Sequence, residues 1–136
     1  MDYLNVLALQ DVMQVFEQKI NLALRYAGLR LPLFKAMDFL EKSGKITVSD
    51  LSRQLNVSRA TTSTLVNELL RAGIVETTEN QSDKRSFYVR LTESGARRLM
   101  LARKEVFIVS KSISQQFDDD MIQAVNTFCR TVRQQK

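Results

Sequence analysis

The sequence predicts a mainly α-helical chain interrupted by one β-hairpin. Three observations point there. Gly (4) and Pro (1) are scarce in 136 residues, so few positions break a helix. Apolar residues recur at three- and four-residue steps over most of the chain. Only Ile74-Val75-Glu76-Thr77-Thr78 and Phe87-Tyr88-Val89-Arg90-Leu91 carry the β-branched and aromatic bias of strands, and a polar stretch separates them.

Leu9, Val12, Met13, Phe16, Ile20, Ala23, Leu24 and Ala27 form a single stripe on a long first helix that ends near Gly28. Pro32, favoured in a first helical turn, opens a second helix, which turns Phe34, Met37 and Leu40 inward and stops at Gly44. Thr47 begins a third helix. Thr47 with Asp50 makes a capping-box-like pair, and Val48, Leu51 and Leu55 form the apolar face. Asn56-Val57-Ser58 is a short polar turn, with Ser58 as N-cap of a fourth helix carrying Leu65, Val66, Leu69 and Leu70 and ending at Gly73. The hairpin follows, with Glu79–Ser86 as its long tip. Thr92 opens a fifth helix with the stripe Leu99, Ala102, Val106, Val109 and Ile113. Met121, Val125, Phe128 and Val132 mark a sixth. Asp118, Asp119 and Asp120 read as its cap rather than a metal cluster, with Arg130, Arg133 and Lys136 near its other end.

Length bounds the chain to one domain. No apolar run approaches the roughly 18–20 residues of a membrane span. Asp2 stands where a signal peptide would carry positive charge, so a cytoplasmic location is expected. The lone Cys129, expected as a buried thiol beside Phe128 and Val132, fits a reducing compartment and gives little support to redox sensing. Met13, Met37, Met100 and Met121 fall on or near apolar stripes and read as core. Histidine is absent, which removes the commonest general base and metal ligand. No nucleophile–base or metal constellation emerges, so no enzyme, cofactor or metal is expected. The net charge of +5 suits a polyanionic partner but is weak support by itself.

A helix, a tight turn, a second helix and a hairpin compose a winged helix-turn-helix, here from about Thr47 to Thr92. The helix after Ser58 carries Arg59, Thr61, Thr62, Ser63, Thr64 and Asn67 opposite its apolar face. Thr and Ser are mediocre helix formers, and an ordinary solvent face prefers Glu, Lys, Gln and Ala. Small hydroxyls and amides do fit a major groove, where they bond phosphates or base edges. The hairpin tip holds Asp83, Lys84 and Arg85. An arginine on a β-loop can enter a narrow minor groove, and Asp83 is placed to aim it. Candidate DNA contacts are therefore Ser58, Arg59, Thr61, Thr62, Ser63, Asn67, Asp83, Lys84 and Arg85. The plain alternatives are a Ser/Thr-rich surface helix and a solvated charged turn.

Leu51–Ser58, Leu65–Val75, Asp83-Lys84-Arg85 and Leu91-Thr92-Glu93-Ser94-Gly95 resemble the MarR family of bacterial transcriptional regulators. The D-x-R wing coupled to L-T-x-x-G is the most specific part. The resemblance implies a homodimer with the first, fifth and sixth helices interleaved, a recognition helix in the major groove and a wing in the minor groove. Arg85 would be the wing arginine, with Asp83 as its partner. Thr64 and Ser52 stand where many relatives carry Arg and Ala. The expected organisation is a single unit, 1–136, with helical dimerisation arms at 1–30 and 92–136 around a DNA-binding lobe at 31–91. The expected function is a sequence-specific transcriptional regulator, in the first place a repressor, acting as a homodimer on a pseudo-palindromic site. The family often has a crevice where small anionic or phenolic effectors loosen DNA binding, although no residue here identifies one. The rival reading is a winged-helix module that binds protein.

Overall fold

A computed structural model describes residues 2–135. The helices are α1 (Val6–Leu24), α2 (Leu31–Ser43), α3 (Val48–Leu55), α4 (Arg59–Arg71), α5 (Glu93–Ser114) and α6 (Asp119–Gln134). The strands are β1 (Lys45–Thr47), β2 (Val75–Glu79) and β3 (Phe87–Leu91). Lys136 lies outside the described residues, so its expected place at the end of α6 is untouched.

The sequence predicts a two-stranded hairpin; the sheet has three antiparallel strands in the order β1-β3-β2. Lys45-Ile46-Thr47 pairs with Arg90, Val89 and Tyr88, and Lys45 lies over the Tyr88 ring at 4.7 Å. Three residues that follow a glycine and end on a helix cap carry no periodicity to detect. Only the finished β3 gives them a ladder.

The helix ends obey the sequence signals. Side chains of Thr47, Ser58, Thr92 and Asp118 accept hydrogen bonds from the backbone amides of Asp50, Thr61, Gly95 and Met121. Asp50 does not complete a capping box, because its carboxylate pairs with Arg53. After Leu24 the chain tightens into a 3-10 turn, Arg25–Ala27, and Gly28 leaves it at a φ of 70°. Asn56 takes the same left-handed conformation at φ 55°, which lets α3 stop and α4 start within three residues.

One apolar core joins α1 through Leu24, α2 through Met37 and Leu40, α3 through Leu51, and α4 through Leu69. Val89 of β3 and Leu99 of α5 close it. The start of α5 is locked against the chain after α4. Thr92 donates from its hydroxyl to Gly73 O at 2.7 Å, and its amide donates to Ile74 O at 2.9 Å. Gly95 approaches so closely that an added Cβ would lie 2.1 Å from Ile74 O. Only glycine fits there, which is the physical content of the L-T-x-x-G spacing.

Several residues expected inside are not. Of the four methionines read as core, only Met37 is buried; Met13, Met100 and Met121 are exposed. Leu70 is exposed beside the buried Leu69, and Cys129 is exposed rather than buried. Val12, Met13 and Phe16 on α1 face outward, and so do Phe107 and Ile108, which lie off the α5 stripe. α6 buries no residue at all. Among the described residues, no helix is long and apolar enough to cross a membrane.

Candidate nucleic-acid interface

The helix-turn-helix is built by α3, the turn Asn56-Val57-Ser58 and α4. At about 3.6 residues per turn, Thr62, Leu65, Val66 and Leu69 fall on one side of α4, and all four are buried. Ala60, Ser63, Thr64, Asn67 and Arg71 fall on the opposite side and are exposed. Arg59 and Thr61 flank that face, also exposed.

Of the expected contacts on this helix, Arg59, Thr61, Ser63 and Asn67 are therefore accessible together. Thr62 is not. Its side chain is 0% exposed and its hydroxyl donates to Ser58 O at 2.9 Å, so it packs α4 onto the core and has nothing left to offer a base. Its position, three residues before Leu65 and four before Val66, puts it on the apolar stripe. Ser58 is exposed, but its oxygen is engaged: it accepts from the Thr61 amide at 3.0 Å and donates to the Thr61 hydroxyl at 2.9 Å. It orders the first turn of α4. Thr64 donates back to Ala60 O at 3.1 Å. Arg71, missed as a candidate, extends the outward face by a further turn; the i, i+4 step from Asn67 was the signal.

The wing is β2, β3 and the tip between Glu79 and Phe87, the last paired residues. The tip is organised rather than loose. Asn80 is buried, its amide donating to Ser86 Oγ at 3.0 Å while its oxygen accepts from the Ser82 amide at 3.0 Å. Asp83 O accepts from the Ser86 amide at 3.1 Å, closing a turn that projects residues 83–85. Within it, Asp83 Oδ1 accepts from the Arg85 amide at 3.0 Å and stands 3.5 Å from Arg85 Nε. The expected partnership of Asp83 and Arg85 is thus present. The Arg85 side chain is 95% exposed and Lys84 is exposed beside it. Sequence reasoning missed Asn80, the residue that builds the tip. An Asn among Ser and Asp in a long hairpin loop is a common turn-former and was its available signal.

Two ion-pair groups hold the surrounding elements. Arg30, just before α2, grips Glu68 of α4 with both guanidinium nitrogens at 2.6 and 2.7 Å. Those hydrogen bonds hold the Glu68 carboxyl below its ordinary range and raise Arg30. Asp38 of α2 accepts from Arg103 of α5 at 2.6 Å and lies 3.2 Å from Lys42; Arg103 also pairs with Glu41. Burial pushes Asp38 up, but the bonds from Arg103 and Lys42 outweigh it and leave its pKa lowered.

The arrangement of core, α4 and wing has close counterparts. Residues 28–86 match the sequence profile described as the MarR family. Members of this family are transcriptional regulators, not enzymes. Over 66 residues the chain is 30% identical to the HTH-type transcriptional regulator YfiV of Bacillus subtilis (strain 168). The match covers 48% of this chain and 41% of that relative, so the chain spans about two fifths of its length. Among solved structures, the fold matches the transcriptional repressor CouR bound to a 23-mer DNA duplex, with a TM-score of 0.90. Identity to it is 19%, over 96% of this chain and 93% of that one. It also matches a single-site mutant of MarR from E. coli complexed with operator DNA. There the TM-score is 0.83 and the identity 21%, over 92% of this chain and 90% of the other. The fold of the chain is therefore a winged helix flanked by α-helical ends.

Proposed function

We propose that the protein is a sequence-specific, DNA-binding transcriptional regulator, acting as a homodimeric repressor on a pseudo-palindromic site in the bacterial cytoplasm. One observation carries this reading. The exposed face of α4 presents Ser63, Thr64 and Asn67 with Arg59 at its flank, and Arg85 projects from the same lobe on an ordered wing. Hydroxyls and an amide in a major groove read base edges, while a guanidinium in the minor groove responds to its negative potential. The family match, and matches to folds solved with DNA, support it.

Dimerisation is supported by the apolar surface of α1, α5 and α6, which a second copy would cover. Two-fold symmetry then sets half-sites about one helical turn, roughly 34 Å, apart. Release by a small ligand would use the open groove of about 280 Å³ between α1 and α2, lined in part by Phe16, Glu17, Ile20, Leu31 and Lys35.

Titration of a duplex selected by the protein from a randomised pool tests the wing. Arg85→Ala should weaken binding across sequences and lower the slope of log affinity against log salt by about one. An unchanged affinity and slope would remove Arg85 from the interface. Selection of no duplex at low salt would favour the protein-binding module instead.

A further inference from the structure

We infer that Arg30 and Glu68 form a strap that positions α4 for DNA, tied through the start of α2 to Asn21 on α1; this rests on the DNA reading above. Thr62, Leu65, Val66 and Leu69 hold α4 against the core. Apolar contact of that kind is non-directional, so it fixes the depth of the helix better than its rotation or slide. The Arg30–Glu68 pair is directional, with two parallel N–H donors meeting two carboxylate oxygens at 2.6 and 2.7 Å. Glu68 directly follows Asn67 of the reading face. Left unpaired there, a carboxylate would repel phosphate.

The other end is anchored separately. Arg30 is the residue before α2, but its side chain makes no cap to that helix. Asn21 of α1 supplies the missing acceptor, taking the Leu31 amide at 2.7 Å. The chain of bonds runs from α1, through the first turn of α2, to α4. With 48% and 35% of their side-chain surfaces exposed, the two charges add little to stability. Their consequence is the orientation of α4.

The test uses Arg30→Ala, Glu68→Gln and the reversed pair Arg30→Glu/Glu68→Arg. Each is titrated against a duplex selected by the wild-type protein and against a scrambled duplex. Glu68→Gln should bind the selected duplex roughly tenfold more weakly and the scrambled one about equally. Arg30→Ala, which frees the carboxylate, should weaken both, the selected one more. The reversed pair should recover most of the loss on the selected duplex. Thermal midpoints should stay within a few degrees. In DNA-free protein, both single variants should speed amide exchange in α4 and at the start of α2. Tighter binding by Glu68→Gln, as for a mere surface carboxylate near DNA, would overturn the strap. So would a reversed pair no better than the single variants, or unchanged exchange. If the wild-type protein selects no duplex, the DNA reading falls, while exchange still decides whether the strap holds α4.

Discussion

Arg85, Thr62 and Gly95 each answer to a different constraint. Arg85 stands almost free on a turn that Asn80 and Asp83 hold in shape, so its loss should touch binding and leave the fold alone. Thr62 behaves in the opposite way. Thr62→Ala should lower stability by about 1 kcal/mol, through the lost hydrogen bond and methyl, and leave the selected DNA consensus unchanged. Urea titration paired with site selection separates these effects, and a shifted consensus would return Thr62 to the interface. At Gly95 the space itself decides. Gly95→Ala drives a methyl into Ile74 O and should cost about 1–3 kcal/mol, read as an earlier unfolding midpoint. The residue types of the interface were legible in the sequence because hydroxyls and Arg in that order are unusual for a solvent face. Which of them turn outward was legible only by tracking Thr62 onto the stripe of Leu65 and Leu69.

At the scale of elements, the helices declared themselves through caps and stripes, and Ser58, Thr92 and Asp118 sit where their helices begin. Strand β1 did not, since three residues gain their structure from β3 rather than from their own pattern. Ion pairs joining distant elements were equally hidden, because no local rule relates residues 30 and 68 or 38 and 103. The Asp38 group makes a pH prediction. Its carboxyl has a lowered folded pKa, so its stabilising contribution is complete above the unfolded value of about 4 and is lost as pH falls through the folded value. Arg103→Ala should therefore lower the unfolding midpoint near pH 7, by an amount worth about 1 kcal/mol or less for so exposed a group. The gap from wild type should close as the pH approaches 2. A gap that is constant over this range would mean Arg103 acts by packing instead.

For the whole molecule, periodicity predicts burial of the apolar stripes of α1 and α6, yet in the single chain Phe16 and Met121 are exposed, and α5 exposes Phe107 outside its own largely covered stripe. Periodicity reports that a face is buried, not by which chain. A second copy is the occupant the proposed function calls for, and on that reading sedimentation equilibrium should give a dimer at micromolar concentration. Phe107→Lys, placing a charge on that surface, should shift the equilibrium toward monomer; a wild-type monomer would contradict the dimer directly. Such a monomer would also lose the geometry for reading two half-sites.

The central claim is that this fold reads DNA sequence, and selection from a randomised duplex pool with the purified protein tests it most directly. The expected result is an enriched inverted repeat with half-sites about ten base pairs apart, binding far more tightly than a scrambled duplex at physiological salt. Recovery of no consensus, with equal affinity for selected and scrambled duplexes, would contradict it.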